Sequence, residues 1–344
     1  MMALPSSLVA LPAVQTVTDC ADFSLSIVPY LPQLRQLPQL VWQHIADADA
    51  LRSLYLSTNP AITALAFALF LTPLVLVVSE FNRNYSQVDR LWSFLPAIYN
   101  AHYVLWAHMA GLQTEKLDHI MAITILWSIR LTFNYWRKGG YSIGSEDYRW
   151  EVLKPILGPT LMFIFNVLFI SLAQNLLLFA ITTPTYVLLL TPRVTGSEMG
   201  TVDNVFSRLM FFLVLVEFFA DQQQWKFQQA KKRYQSTAKP ASNYSREALD
   251  RGFVTSGLWA YSRHPNFAAE QAFWVALYQW SCFKTDVFAN WTLVGALGYL
   301  LLFQASTWFT ERITAKKYPD YQIYQKSVGK FLPGWNTKSG STFP

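Results

Sequence analysis

The sequence predicts an all-α, polytopic transmembrane helix bundle with about seven transmembrane helices. Of the 344 residues, 52% are hydrophobic and only 14% are charged, well below the roughly 25% that is usual in a soluble domain. Aromatic residues reach 16%, with 13 Trp, which suits a chain that crosses two membrane–water interfaces. The apolar residues are gathered in long runs, and the basic residues lie in the loops between them.

Seven apolar runs follow residue 58, and each approaches the roughly 20 residues that a membrane helix needs. The second, third and fifth runs also contain polar or charged residues, namely Asn100, His102, Arg130 and Glu217. The predicted spans are Pro60–Ser79, Leu91–Ala110, Leu117–Trp136, Thr160–Ile181, Val205–Ala220, Phe267–Phe283 and Val287–Phe309.

The runs divide the chain into three parts. Residues 1–58 lack a long apolar run and are predicted to be an N-terminal tail. In it, the mixed segment Leu31–Leu56 either lies in the membrane interface or is poorly ordered. Residues 59–335 form the predicted transmembrane domain, and residues 336–344 a C-terminal tail. Within the domain, Thr182–Thr191 is too short to span, which indicates a loop or a re-entrant segment.

The distribution of Lys and Arg predicts the orientation of the chain in the membrane. If the N-terminus is lumenal, most of the 27 basic residues fall in cytoplasmic segments, and the C-terminus is cytoplasmic. Basic residues spread over loops do not form the single charged face that a nucleic acid binds, so we expect no nucleic-acid partner. Two cysteines are too few for a disulfide framework.

Four polar constellations lie near the predicted cytoplasmic helix ends. They are Asp89 in the segment Tyr85–Arg90, Arg130 with the segment that follows it as far as Trp150, Glu217 with Asp221, and the segment Gly257–Glu270. Glu217 and Asp221 are one helical turn apart and share a face. Charged groups at membrane depth are expensive, and they usually mark functional sites. No spacing of histidines predicts a metal site.

The fourth constellation is the most informative. Pro265 suits the first turn of a following helix, which places Asn266 and Glu270 four apart on one helix face. Arg263 and His264 lie just before the helix N-terminus, where backbone N–H groups favour anions. An acid and an amide on one face can hydrogen-bond a carboxamide, a hydroxyl or an amine. Alternatively, Glu270 forms a structural ion pair with an arginine.

This constellation, Gly257-Leu258-Trp259…Tyr261-Ser262-Arg263-His264-Pro265-Asn266-Phe267…Glu270, resembles the signature of the DUF1295 family. That family belongs to the steroid 5-alpha-reductase C-terminal-domain superfamily, which is related to the isoprenylcysteine methyltransferases. The resemblance covers roughly residues 80–335. Further matches are Ser86–Trp92, Trp127…Arg130-Leu131, Glu146–Trp150, Ala220–Gln223 and Tyr318-Pro319-Asp320-Tyr321…Tyr324.

The resemblance implies a bundle of about seven transmembrane helices with a cofactor cavity that opens to the cytoplasm. It also implies that the amide and acid of an N-x-x-x-E pattern and an earlier aspartate hold NADPH, and here these residues are Asn266, Glu270 and Asp221. Tyr261 matches an aromatic of the same stretch, and Arg130 matches a cofactor-facing arginine. The residue pair that binds the steroid keto group in the reductases has no match, so the resemblance does not extend to steroids.

The leading hypothesis is a membrane-embedded NADPH-dependent reductase of a lipophilic conjugated C=C bond, placed in the endoplasmic reticulum membrane. Its expected partners are a lipophilic small molecule and membrane lipids. The candidate proton donors are Tyr103 and His102. The predicted cofactor-binding residues are Asp221, Asn266, Glu270, Arg263, Tyr261, His264 and Arg130.

Two alternatives remain open. The first is an S-adenosylmethionine-dependent methyltransferase of a lipid or prenyl thiol. Those enzymes also carry an Arg-His-Pro sequence and a glutamate-bearing tail, here Arg263-His264-Pro265 and Glu311. The second alternative is a non-catalytic membrane scaffold, which would respond to neither cofactor.

Overall fold

The computed structural model describes residues 10–196, 198–240 and 243–333. These residues form helices and no strand, which confirms the predicted all-α class. The predicted C-terminal tail, residues 336–344, and the first nine residues of the predicted N-terminal tail lie outside the described part.

The chain divides into two compact units. The first unit is Met1–Leu209 with Trp274–Tyr299, and the second unit is Met210–Phe273 with Leu300–Pro344.

The regular secondary structure of the described residues is helical, with short 3-10 helices at Thr18–Ala21, Val28–Tyr30 and Gly257–Ala260 and a π-helix at Asn166–Ala173. The α-helices are α1 (Phe23–Ser26), α2 (Leu31–His44), α3 (Ala48–Ser57), α4 (Pro60–Asn82), α5 (Gln87–Leu91), α6 (Leu95–Met109), α7 (Glu115–Arg137), α8 (Tyr148–Phe165), α9 (Gln174–Ala180), α10 (Thr183–Leu190), α11 (Pro192–Thr195), α12 (Thr201–Thr237), α13 (Arg246–Arg251), α14 (Pro265–Thr285), α15 (Leu293–Lys317) and α16 (Tyr321–Ser327).

Three described helical stretches are long and apolar enough to cross a membrane, which indicates a membrane protein. They are Pro60–Asn82, Tyr148–Thr195 and Leu293–Lys317. Each of the seven predicted runs overlaps a helix, although the last run starts six residues before its helix, which begins at Leu293. Length and composition do not establish the predicted count of about seven spans.

Two predicted segments differ in form from the structure. The run Leu91–Ala110 yields α6, which has only 15 residues and is about 22 Å long, because Pro96 is tolerated only in the first turn of a helix. For Thr182–Thr191, predicted as a loop or a re-entrant segment, the structure excludes the loop. The segment is the helix α10, and all eight of its residues are buried within the first unit.

The N-terminal helices α2 and α3 pack against the start of α4. Asn59 caps α4, because its Oδ1 accepts the backbone N–H of Ala61 at 2.9 Å. The backbone N–H of Asn59 donates to Gln33 Oε1 of α2 at 3.0 Å. The hydroxyl of Tyr55 on α3 donates to Nδ1 of His102 on α6 at 2.8 Å. Side-chain contacts therefore tie α2 and α3 to the helices beside them.

Close helix packing and buried aromatic rings hold the first unit together. A Cβ atom at Gly295 of α15 would lie 2.3 Å from the carbonyl oxygen of Ala180, so only glycine permits the two helices to come this close. Trp127 and Trp274 meet edge to face with ring centroids 5.1 Å apart.

The second unit is built around the later part of α12 and the first turns of α14. Helix α12 has 37 residues and is about 56 Å long. It continues well past the predicted run Val205–Ala220, because the residues that follow are mainly Gln, Lys, Arg and Ala, which favour helix even where they are polar.

Candidate functional site

Helices α12 and α14 bring two of the predicted cofactor-binding residues together in the second unit. Asn266 Nδ2 donates to Asp221 Oδ1 at 3.0 Å. Asn266 lies in the first turn of α14 because Pro265, which has no backbone N–H, suits the first helical position. Glu270 is buried one turn further along α14. We call Asp221, Asn266 and Glu270, together with Gln224 one turn after Asp221 on α12, the acid–amide cluster.

Two amide oxygens of this cluster are buried without a hydrogen-bond donor among the described residues. They are Asn266 Oδ1 and Gln224 Oε1. A buried polar atom left unpaired costs about 1–3 kcal/mol, and most such atoms in folded proteins have a partner. A ligand that donates an N–H or O–H group to either oxygen would remove that cost.

Gln224 is absent from the sequence-predicted site. It lies among consecutive glutamines, Gln222 to Gln224, so its residue type alone does not distinguish it. The signal that could have found it is its spacing, since Glu217, Asp221 and Gln224 follow the i, i+4, i+7 pattern of a single helix face.

A second polar group, the Glu311 cluster, lies in the second unit where α15 and α16 meet the residues before α14. Its carboxylate accepts hydrogen bonds at both oxygens and is buried. It accepts from Arg263 Nε at 2.7 Å and Nη2 at 3.1 Å, from His264 Nε2 at 2.9 Å, from Tyr321 Oη at 3.2 Å and from Gln325 Nε2 at 3.0 Å.

Arg263 is fully engaged within this cluster. Its third nitrogen, Nη1, donates to the backbone oxygens of Gln325, at 3.0 Å, and Val328. The backbone N–H groups of Arg263 and His264 donate to Gly329 and Lys330. The structure therefore gives Arg263 and His264 an immediate role in fixing the chain that follows α16. Their contact with a cofactor stays a prediction.

The segment before α14 is held in place by α12. Gly257 has a φ of +65°, and a Cβ there would lie 2.6 Å from Gln223 Oε1. The same oxygen accepts the backbone N–H of Leu258 at 2.9 Å. Tyr261, predicted to contact the cofactor, is 64% exposed at the end of this segment, so the described contacts leave its ring largely open.

The remaining predicted site residues belong to the first unit. Arg130 is buried on α7. Tyr103 is fully buried. Both ring nitrogens of His102 are engaged, Nε2 with the Pro60 oxygen at 2.8 Å and Nδ1 with the Tyr55 hydroxyl. Because a carbonyl can only accept, Nε2 carries the proton, and Nδ1 is left as the acceptor.

Two motifs that carry the family resemblance, Ser86–Trp92 and Glu146–Trp150, meet in the first unit. Burial raises the pKa of Asp89 above its ordinary value, against the opposing charge of Arg149. The contacts join Trp150 Nε1 to Asp89 Oδ2 at 2.8 Å, the Asp147 N–H to Ser86 Oγ at 2.9 Å, and the Tyr85 N–H to Glu146 Oε1 at 2.7 Å. The two motifs therefore form one polar junction.

The described residues define a helical membrane protein whose second unit contains the acid–amide cluster. Over residues 75–328 the sequence matches the family described as "Protein of unknown function (DUF1295)". The chain belongs to this family, which confirms the resemblance of its motifs.

An uncharacterized protein of Schizosaccharomyces pombe is 36% identical over 327 residues, which cover 94% of this chain and 93% of the relative. A match of this extent includes part of the N-terminal region that precedes the family match. No solved structure matches the chain significantly.

Proposed function

We propose that this protein is a membrane-embedded, NADPH-dependent reductase of a lipophilic substrate that contains a conjugated C=C bond. The observation that carries the proposal is the acid–amide cluster. In it Asn266 donates to Asp221, and two buried amide oxygens have no hydrogen-bond donor among the described residues. NADPH offers such donors in its carboxamide N–H₂ group and its ribose hydroxyls. The residues present therefore fit this cofactor.

In this proposal the cluster binds and orients the cofactor. Asn266 Oδ1 accepts from a carboxamide or a hydroxyl, while its Nδ2 remains fixed by Asp221. Glu270 extends the acceptor surface by one helical turn. When bound, NADPH supplies the hydride that reduces the conjugated bond. The protein's own contribution is to position the reactants and exclude water.

The two predicted proton donors differ in whether the hydrogen they would donate is already used in a hydrogen bond. His102 already donates from Nε2 to the Pro60 oxygen, so it would have to break that bond to donate elsewhere. Tyr103 has a hydroxyl hydrogen to give and is the stronger of the two candidates. Arg130 is proposed as a cofactor-facing cation, in line with the family resemblance.

The membrane arrangement that goes with this function has about seven spans. In it the N-terminus is lumenal, the C-terminus is cytoplasmic, and the protein lies in the endoplasmic reticulum membrane. The asymmetry of Lys and Arg supports the orientation. The length of α12 supports it as well, since a helix of about 56 Å exceeds the roughly 30 Å of bilayer hydrocarbon and its later part carries Lys226, Lys231 and Lys232.

A second candidate function is an S-adenosylmethionine-dependent methyltransferase of a lipid or prenyl thiol. The observation that favours it is the Glu311 cluster, which joins the Arg-His-Pro sequence to the glutamate of the C-terminal segment. The reductase is preferred because Arg263 and Glu311 satisfy each other, whereas the acid–amide cluster leaves acceptors for a ligand.

Thermal unfolding of the purified protein, titrated separately with NADPH and with S-adenosylmethionine, tests the proposal. A ligand that binds only the folded state raises apparent stability by mass action, by about 2.7 kcal/mol at 100 times its Kd. The reductase predicts a response to NADPH that Glu270→Gln weakens and that Glu247→Gln, at an exposed position of α13, does not. A response to S-adenosylmethionine alone supports the methyltransferase, and no response to either supports a scaffold.

A further inference from the structure

An exposed apolar strip runs along α2 in the first unit. Trp42 is 76% exposed, Ile45 at the end of the helix 63%, and Leu31 at its start 39%. Pro38 is exposed between them. At about 100° per residue, these four positions fall within roughly 60° of one another around the helix. They form one continuous surface, which we call the α2 strip.

The rest of α2 has two other faces. One face packs on the unit: Leu37 is buried, and Gln33 Oε1 accepts the backbone N–H of Asn59 at 3.0 Å. The other face carries three exposed glutamines, Gln36, Gln39 and Gln43. A helix that packed on its own unit and otherwise met only water would need two faces. The third, apolar face indicates that α2 also contacts an apolar medium.

The position of α2 identifies that medium. Helix α3 ends at Ser57, and α4, which is long and apolar enough to cross a membrane, begins at Pro60. The bond between Gln33 and Asn59 holds α2 directly at this end of the span. We propose that the α2 strip inserts into the interface of the lipid bilayer, with the glutamine face toward water.

The residues of the strip suit that place. Tryptophan is enriched at membrane–water interfaces, where its ring contacts hydrocarbon and its N–H remains near polar groups. Arg35, exposed at the edge of the strip, can extend its stem over apolar surface while its charge reaches lipid phosphate. A helix with an apolar face and a polar face lies in the plane of the interface.

The test is a fluorescent label, 7-nitrobenzoxadiazole, attached to cysteine in two single variants, Trp42→Cys and Gln43→Cys. The native cysteines, Cys20 and Cys282, are buried. The two labels lie at the same height on α2 but about 100° apart. Each labelled protein is reconstituted in phosphatidylcholine nanodiscs. Quenching is measured with doxyl-labelled lipid and, separately, with aqueous iodide.

The proposal predicts that doxyl lipid quenches the label at position 42 several-fold more than the label at position 43, and that iodide shows the reverse order. Equal quenching of the two labels by both agents overturns it. Protection of position 42 from iodide without quenching by doxyl lipid also overturns it, because protein would then cover the strip. Each labelled variant should unfold at the same temperature as the wild type, which shows that its fold is intact.

Discussion

Two polar clusters flank the N-terminus of α14, and they differ in how completely their hydrogen bonds are made. The Glu311 carboxylate accepts from four side chains. In the acid–amide cluster, two amide oxygens have no donor among the described residues. Both clusters are charged and both contain motif residues, so sequence alone does not separate them.

The difference separates architecture from binding. A buried charge whose partners are all supplied by the chain holds segments together, and removing one partner strands the other. A buried acceptor with no partner is a cost to the folded protein that a ligand can remove. We therefore assign the Glu311 cluster to fixing the C-terminal segment and the acid–amide cluster to holding a cofactor. The predictions below test this assignment from the largest expected effect to the smallest.

Arg263→Ala should cause the largest loss of stability. It removes the main cation beside the buried Glu311 carboxylate, and breaking a buried pair in this way costs about 3–5 kcal/mol. Chemical unfolding in detergent micelles measures the loss.

Two further variants sharpen this prediction. Lys326→Ala, at an exposed position of α16, should change the free energy of unfolding by less than about 0.5 kcal/mol. Arg263→Met combined with Glu311→Leu should recover much of the loss, because no uncompensated carboxylate remains. An Arg263→Ala protein as stable as Lys326→Ala would show that the Glu311 cluster does not hold the fold.

Asn266→Leu should have the opposite profile, with a large effect on binding and a smaller effect on stability. It removes both the contact with Asp221 and the open acceptor Oδ1. Hydrogen bonds of this kind are worth about 1.5–3 kcal/mol where a charged group takes part, so we expect the Kd for NADPH to rise about tenfold to a hundredfold. Isothermal titration calorimetry measures the Kd, and an unchanged value would remove Asn266 from the site.

The start of α14 is predictable because its cause is local, whereas Asp221 is grouped with Asn266 only through the family resemblance and not as a predicted contact. Pro265 sets the start of α14, and the resemblance supplies the earlier aspartate. The helical class is predictable for a similar reason, since long apolar runs with few charges have few other folds open to them.

Other features depend on tertiary contacts that no local pattern encodes. The engagement of Arg263 with Glu311 joins residues 48 apart in the chain. The helix α10 is not predicted from the sequence because Pro184 indicates the end of a helix. Burial among neighbouring helices nevertheless stabilises a short helix that has a proline in its first turn. Gln224 differs from its neighbouring glutamines only in the direction its side chain takes.

Gln224→Leu should separate binding from stability more cleanly, with a smaller change in affinity. Replacing an unpaired buried amide with an apolar side chain should leave the unfolding free energy of the ligand-free protein unchanged or higher. The Kd for NADPH should rise by up to about tenfold, the equivalent of one neutral hydrogen bond. Gln229→Leu, on the exposed face of the same helix, is the matched control. Equal affinities of the two variants would exclude Gln224 from the site.

Asp203 extends the comparison to the first unit and to pH. Burial alone would raise the pKa of Asp203, but hydrogen bonds from Trp280, the Gly200 N–H and Lys284 outweigh it, so its pKa lies below the ordinary value. The stability that this carboxylate contributes is complete above its ordinary pKa of about 4. It is lost as the pH falls through the lower pKa of the folded protein.

The difference in unfolding free energy between wild type and Asp203→Asn, measured at several pH values from about 6 downward, isolates this contribution from those of other carboxylates. The wild type should lose its advantage over the variant as the pH falls. An advantage that does not vary with pH would mean that Asp203 is not held by its ion pair and hydrogen bonds.

The assignment of the acid–amide cluster to a cofactor is tested most directly by native mass spectrometry of the protein released from membranes, with NADPH added at increasing concentration. The account predicts a saturable adduct of the mass of NADPH on the wild type, at much lower occupancy on Asn266→Leu and at wild-type occupancy on Gln229→Leu. Equal occupancy on all three proteins, or no adduct on the folded wild type, would contradict it.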